Sequence, residues 1–274
     1  MRLRRAVAVM AAAVAATTAV LAGPAPAQAV SAVTLANTIA LSNCSAALVR
    51  YPTSVGTDRA MMLTNGHCYE GGLIPAGTVL QNRTSTRSGS LLNSSGRAVA
   101  TVRADRILYA TMTGTDVTLY RLTSTYATLS SSYGATALTI SAGHPAAGSS
   151  ITIPSSYWKR IWNCKIDNFV STLREDEWTW RDSIRYDPNC DTIHGTSGSP
   201  IVDATSGQIV GINNTGNDDG EMCTLNNPCE VDTNGTTHAY QGQSYGEQTY
   251  WFTTCLTSTR TIDLNKAGCL LTKP

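Results

Sequence analysis

One serine of this chain stands in a setting that suits a nucleophile. Residues 195–200 read Gly-Thr-Ser-Gly-Ser-Pro, so Ser197 lies between two glycines. Glycines let a backbone turn tightly, and here they can bring the amides of Gly195 and Ser197 towards one point. Acyl transfer needs such amides to stabilise an oxyanion, together with a nucleophile and a base. Taken alone, the segment is equally typical of a surface turn.

A histidine and an aspartate upstream supply the other parts of such a reaction. His67 follows an apolar segment, residues 60–64, and precedes Cys68, so that a strand and a disulfide can hold it at the edge of a cleft. Asp116 precedes an alternating apolar segment, residues 117–122. A lone histidine is usually a satisfied surface or core residue, and an aspartate at a strand start is often a turn former. The order His, Asp, Ser makes coincidence improbable and predicts a base, an orienting carboxylate and a nucleophile.

Short strands must position these side chains. Only 14% of the 274 residues are charged, and Thr, Ser and Gly are frequent. Short apolar runs at residues 99–102, 150–153 and 208–212 are separated by clusters of Gly, Pro, Asn and Ser. This pattern predicts an all-β fold, either a barrel or a sandwich. Residues 123–136 lack an apolar period and are the best candidate for a linker between two halves.

The three motifs, their order and their spacing resemble the trypsin and chymotrypsin superfamily over residues 44–216. The order excludes the α/β-hydrolase and subtilisin arrangements. The resemblance implies two antiparallel six-stranded β-barrels with the active site between them. We therefore expect an N-terminal barrel in residues 30–128 and a C-terminal barrel with an extension in residues 129–274. The Gly-x-Ser-Gly-Ser-Pro variant, with Ile-Ser-Ala-Gly-His-Pro at residues 140–145, is similar to bacterial glutamyl endopeptidases and related trypsin-like branches.

The catalytic roles follow from this resemblance residue by residue. It implies that His67 is the general base, that Asp116 is its orienting carboxylate, and that Ser197 is the nucleophile. It also implies an oxyanion hole made by the amides of Gly195 and Ser197.

The same resemblance implies the substrate-binding residues. Residues 211–216 match the strand that pairs with the substrate backbone and walls the specificity pocket, which gives Asn213, Asn214 and Gly216 binding roles. Asp191 lies six residues before the nucleophile, where trypsins keep the acid that selects Arg or Lys. A buried carboxylate there would pair directly with a cationic side chain.

The pocket also departs from the trypsin pattern. A cysteine precedes Asp191 instead of following it, which leaves basic specificity open. Thr192 and His194 could instead contact an acidic side chain, although Asn213 stands where glutamyl endopeptidases place a histidine. Thr196 occupies the position of the aspartate that pairs with a new amino terminus in trypsin-like zymogens. We therefore expect that activation switch to be absent.

The first residues have the features of a secretory signal peptide. Residues 2–5 are Arg-Leu-Arg-Arg, an Ala-rich apolar stretch covers residues 6–22, and Ala-Gln-Ala follows at 27–29. This order of a basic, an apolar and a small-residue segment predicts cleavage after Ala29 and secretion of a chain that starts near Val30.

Eight cysteines in an exported chain favour disulfides over a metal site. Many connectivities are open, and the superfamily resemblance supports only the pairing of Cys44 with Cys68. Neighbourhood in the sequence suggests four pairs: Cys44–Cys68, Cys164–Cys190, Cys223–Cys229 and Cys255–Cys269.

The partners expected are few. The net charge of +1 argues against a nucleic-acid or anionic-membrane binder. Residues 217–221 gather carboxylates that could bind calcium, but such a run is more often a solvated turn, so we expect no cofactor or metal.

We expect a monomeric secreted serine endopeptidase that takes protein or peptide substrates. Two alternatives stay open, a protease-fold binding module that has lost activity and an esterase with the same triad.

Overall fold

The computed structural model describes residues 32–274, so the predicted signal peptide lies outside the described residues. Strands dominate this part of the chain, and none of its helices is long and apolar enough to cross a membrane. The elements are, in chain order, β1 Thr38–Ala40, β2 Ser45–Arg50, β3 Arg59–Thr64, β4 Val79–Thr84, β5 Ser88–Leu92, β6 Ala98–Thr111, β7 Val117–Thr125, α1 Tyr126–Tyr133, β8 Leu138–Thr139, β9 Ser150–Ser155, β10 Arg160–Val170, β11 Leu173–Glu175, β12 Trp178–Trp180, β13 Ser183–Tyr186, β14 Pro200–Asp203, β15 Ile209–Gly216, β16 Cys229–Val231, β17 Thr237–His238, β18 Ser244–Gln248 and α2 Trp251–Thr254.

The first barrel is a closed ring of antiparallel strands in the order β1-β5-β6-β7-β3-β2, and β2 pairs back to β1. β4 pairs along β6 outside the ring, and β8 adds a parallel pairing to β2. Met62 of β3 and Tyr120 of β7 fill the interior. Met61 and Leu63, on the opposite face of β3, pack against the rest of the protein. Because both faces of β3 are covered, residues 60–64 are apolar without alternation.

The second barrel closes in the order β10-β13-β18-β15-β14-β9, with β9 pairing back to β10. Its core holds Ile153, Trp162, Ile184 and Ile201, all buried. The pair of closed six-stranded antiparallel barrels confirms the fold that the superfamily resemblance implies.

The C-terminal segment packs on the outer face of the first barrel. α2 buries Trp251 and Phe252 in one cluster with Tyr109 and Leu271. Burial of each large apolar side chain stabilises the fold by about 1.5–3 kcal/mol. The Tyr109 hydroxyl also donates to the Thr272 carbonyl at 2.9 Å. The segment after β18 therefore ties the second barrel to the first.

Four disulfides connect the eight cysteines, and each suggested neighbour pair is confirmed. The first bridge anchors the loop after β3 to the start of β2, and the second anchors the loop before β14 to β10. Both loops lead to candidate catalytic residues, so covalent bonds restrict the two segments on which the site depends. The bridges also indicate an oxidising compartment.

Candidate active site

The pairing of β3 with β7 brings His67 and Asp116 together. Thr64, at the end of β3, faces Thr118 near the start of β7. His67 lies just beyond β3, and Asp116 directly precedes β7. The side-chain amide of Asn65 donates to the Asp116 carbonyl at 2.8 Å, which fastens the two loops to each other. Strands distant in sequence thus place a histidine beside a carboxylate.

The Asp116 carboxylate holds the histidine at two points. The backbone amide of His67 donates to Asp116 Oδ1 at 3.0 Å, and His67 Nδ1 lies 2.7 Å from Asp116 Oδ2. Asp116 is fully buried, whereas the imidazole is partly exposed in the cleft. A carboxylate at Nδ1 favours the tautomer with its proton there, so Nε2 is left as the acceptor.

Opposing effects set the pKa of His67. Burial lowers it, whereas the charge and hydrogen bond of Asp116 raise it and the charge of Glu175 adds to the increase. The net pKa is raised above the ordinary value of 6.5. The ring therefore accepts a proton more readily than an isolated histidine.

Ser197 lies in the loop before β14, where contacts from both barrels fix it. The Ser197 carbonyl accepts from the backbone amide of Ser45, in the first barrel, at 2.8 Å. The backbone amide of the next residue, Gly198, donates to the carbonyl of Asn213, in the second barrel, at 3.0 Å. Gly198 has φ +79°, and a Cβ there would lie 2.0 Å from the Ser45 carbonyl oxygen. The Ser197 hydroxyl donates to the Asn214 carbonyl at 3.0 Å.

Two amides of this loop have unused donors. The amides of Thr196 and Gly198 donate to backbone carbonyls, but within residues 32–274 those of Gly195 and Ser197 have no acceptor. Gly195 adopts φ +85°, and a Cβ on it would lie 2.7 Å from the Tyr157 ring. A larger residue would strain this turn. The free amides are the donors that the sequence predicts for an oxyanion hole.

A cleft of about 530 Å³ brings these groups together. His67, Asp116 and Ser197 all contribute to its lining. The predicted substrate-binding residues that also line it are Thr192, His194, Asn213, Asn214 and Gly216. The cleft thus holds a candidate nucleophile, a base and oxyanion donors beside a strand that can pair with an extended peptide.

Asp191 is placed elsewhere. It is exposed and is absent from the cleft lining, and its carbonyl accepts from the Trp162 indole at 3.1 Å. Asp218 is one of the acids that line the cleft near the wall strand, and its Oδ2 lies 2.5 Å from His194 Nε2.

A hairpin that the sequence analysis missed links the barrels beside the cleft. β11 and β12 belong to a small sheet with β16 and β17. Trp178 and Trp180 are buried, and their indoles donate to the carbonyls of Ile74 and Met112 in the first barrel, each at 2.9 Å. The Trp-Thr-Trp alternation signals a strand with one buried face, but it does not reveal what that face covers.

Glu175, at the end of β11, brings a further carboxylate into the cleft lining. Its Oε2 accepts from the Thr215 hydroxyl at 2.6 Å, and its Oε1 accepts from the Asn226 amide at 2.9 Å. Burial raises the pKa of Glu175, and these hydrogen bonds with the charge of His67 only partly counter it, so the net pKa is raised. No local motif marks this residue as part of a site.

No metal site emerges from the described residues. Their only clusters of potential ligands combine disulfide-bonded cysteines with His67 or with Asp187. A sulfur in a disulfide is not the thiolate that binds metals.

A family model described as a trypsin-like peptidase domain matches residues 44–212, more than half of the chain. No curated protein sequence matches.

Among solved structures, the MamO protease domain from Magnetospirillum magneticum is 13% identical, with a TM-score of 0.47 over 78% of this chain and 93% of that one. The Nocardiopsis protease NAPase is 15% identical, with a TM-score of 0.45 and coverage of 78% and 90%. A Glu endopeptidase is 16% identical, with a TM-score of 0.45 and coverage of 78% and 85%.

Proposed function

Since this chain belongs to the trypsin-like peptidase family, we propose that it is a secreted serine endopeptidase that cleaves peptide bonds through an acyl-enzyme on Ser197. The protein is a protease of chymotrypsin-like fold. The observation that carries the serine mechanism is one cleft lined by the buried Asp116, the His67 ring bound to it, and a serine beside two free amides.

In the proposed mechanism His67 Nε2 takes the Ser197 hydroxyl proton as Oγ attacks the scissile carbonyl. The Ser197 hydroxyl first rotates about the Cα–Cβ bond, so that it donates to His67 Nε2 instead of to the Asn214 carbonyl. Asp116 stabilises the imidazolium, and the amides of Gly195 and Ser197 stabilise the oxyanion. The imidazolium then protonates the leaving amine, and water attacks the ester in a second, equivalent cycle.

A fluorophosphonate probe tests the assignment directly. Ser197 Oγ would displace fluoride from phosphorus while His67 takes the hydroxyl proton. Only neutral His67 can take it, so labelling should fall as the pH drops through the raised pKa of His67, with a midpoint above pH 6.5. The measurement is the labelling rate between pH 4 and 9, with the modified residue located by peptide mass spectrometry.

The outcomes separate the alternatives. Folded protein that is never labelled would indicate the inactive binding module. Labelling together with hydrolysis of ester substrates but not of peptides would indicate the esterase. Labelling at a serine other than Ser197 would contradict the mechanism.

We also propose a preference for Arg or Lys before the scissile bond. The support is charge: Glu175 and Asp218 line the cleft, whereas no Lys or Arg of residues 32–274 does. A charged hydrogen bond in such a site contributes about 1.5–3 kcal/mol, which corresponds to roughly tenfold or more in selectivity. The preference therefore rests on these two acids and not on Asp191.

A defined peptide library checks this preference. Cuts by the parent enzyme should favour Arg and Lys, and Glu175→Gln or Asp218→Asn should reduce that selectivity by about tenfold. Asp191→Asn is the matched control, because its side chain is exposed and outside the cleft lining. The proposal would be contradicted if the parent enzyme cut without a preference for Arg or Lys. It would also be contradicted if only the Asp191→Asn variant lost that preference.

We propose that the signal peptide is cleaved after Ala29, which agrees with the oxidised cysteines. Thr196 is buried, and its hydroxyl accepts from the Asn213 side-chain amide at 3.0 Å and donates to the Ile193 carbonyl. It offers no carboxylate to a new amino terminus, which supports activity without the trypsin-type switch.

A further inference from the structure

Glu247 is a carboxyl group that has no cation beside it within residues 32–274. It lies on β18 between β13 and β15, and none of it is exposed. Oε1 accepts from the Ser183 hydroxyl at 3.0 Å and from the Asn214 side-chain amide at 3.2 Å. Among the described residues Oε2 has no partner, and no Lys, Arg or His forms an ion pair with Glu247.

The charge that acts on Glu247 comes from Asp116. Burial and, to a smaller extent, the negative charge of Asp116 raise the pKa of Glu247 to about 8, and the hydrogen bonds from Asn214 and Ser183 only partly oppose this increase. Two neighbouring buried carboxyls cannot both ionise cheaply. Asp116 has the histidine as its partner, whereas no cation pairs with Glu247 among the described residues, so the neutral form is favoured at Glu247.

The surroundings of Glu247 suit a carboxylic acid. Among the described residues, the buried oxygens Glu247 Oε2 and Asn214 Oδ1 have no hydrogen-bond partner. A protonated Oε2 is a neutral hydrogen-bond donor, whereas an ionised Oε2 is a charged acceptor that has no partner among the described residues. An unpaired buried charge costs more free energy than an unpaired buried neutral group, so the neutral form is favoured.

We propose that Glu247 is a positioning residue, held as a neutral acid, that fixes Asn214 behind the nucleophile and whose ionisation limits activity at alkaline pH. This inference rests on the proposed serine mechanism. Glu247 binds the Asn214 side chain, and the Asn214 carbonyl accepts the Ser197 hydroxyl. The acid therefore acts on the nucleophile through one residue.

Ionisation of Glu247 would disturb the site in two ways. The carboxylate places a buried charge on Oε2, which has no partner among the described residues, so Glu247 and its contact with the Asn214 side chain must rearrange. The charge also stabilises the His67 imidazolium across Asp116, so less free base is present. The titratable groups around Glu247 are Asp116 from the turn before β7 and Tyr186 from β13. The pKa of Tyr186 is raised well above 10 by burial, so that group stays neutral in the same range.

The first experiment compares pH profiles of kcat/KM for the parent enzyme and Glu247→Gln. Glutamine has the same shape and stays neutral, so the ratio of variant to parent should rise by about tenfold between pH 7 and 9 as the parent ionises. Glu230→Gln is the matched control, since that acid binds Tyr245 and Arg185 away from the triad. Parallel profiles for Glu247→Gln and the parent would overturn the positioning role.

The second experiment does not depend on catalysis. The protein with Glu247 and the Glu247→Gln variant both carry Ser197→Ala, which prevents self-digestion. Their unfolding in urea is followed from pH 4 to 9. The raised pKa means that the folded state keeps a proton that the unfolded state releases. The measured quantity is the free energy of unfolding of the protein with Glu247 minus that of the Glu247→Gln variant. This difference should be greatest below about pH 4.5 and should fall as the pH rises to about 8. A pH-independent difference would overturn the neutral acid, and this result stands even if the protein proves to have no peptidase activity.

Discussion

Replacing Ser197 with alanine should lower the rate of peptide hydrolysis by a factor of about 10⁴–10⁶. The change removes the only atom that the mechanism makes a nucleophile, and binding and oxyanion stabilisation then account for the residual rate. The fold should persist, because the contacts that fix the loop are backbone bonds of Ser197 and Gly198. Only the bond from the hydroxyl to the Asn214 carbonyl is lost.

Casein hydrolysis and fluorophosphonate labelling measure this effect, with circular dichroism as a check on folding. Ser199→Ala is the matched control. Ser199 lies two residues further along the same loop, is fully buried, and its hydroxyl has no partner among the described residues. The control should keep both hydrolysis and labelling. If the Ser197→Ala variant hydrolyses casein at the parental rate, Ser197 is not the nucleophile.

The parts of the site that sequence analysis identifies are those with a local signature. His67 and Asp116 each adjoin an apolar strand, and the glycines around Ser197 are required by the turn itself. These features need only a few neighbouring residues to be recognised. The pairing of β3 with β7 then brings the histidine and the carboxylate together, which the resemblance to a known fold anticipates.

Asp191 shows the limit of counting along the chain. Its distance from the nucleophile matches the trypsin pattern, but the bridge between Cys190 and Cys164 directs this loop towards β10. The side chain ends on the surface, and Asp218, from a different loop, lines the cleft instead. Loop paths depend on such long-range bonds, so position in the sequence does not determine them.

Glu175 and Glu247 illustrate a second limit. Both lie in short strands rich in polar residues, and an acid in such a sequence is typical of a solvated face. Burial comes from packing that only the folded chain provides, namely the hairpin that reaches the first barrel and the central position of β18. The sequence accounts for the chemistry of the triad, whereas tertiary contacts determine the electrostatic environment around it.

Replacing Asp116 with asparagine should lower kcat by a factor of about 10⁴, because the residue sets the hydrogen bonding of His67. Asp116 Oδ1 accepts from the His67 backbone amide, so the amide oxygen of asparagine would keep this position. Its NH₂ group would then face His67 Nδ1, which must become an acceptor. The ring proton moves to Nε2, and the base can no longer take a proton from Ser197.

Steady-state kinetics and the fluorophosphonate labelling rate measure this loss, and Asp105→Asn is the matched control. Asp105 pairs with Arg121 on the outside of the same barrel, where a surface ion pair contributes about 0–1 kcal/mol to stability and nothing to the cleft. The Asp116→Asn variant has a second expected signature, because loss of the negative charge lowers the pKa of Glu247 and reduces the pH dependence of its stability. A variant within tenfold of the parental kcat would show that Asp116 does not set the tautomer, since asparagine keeps the shape of the site and changes only the direction of one hydrogen bond.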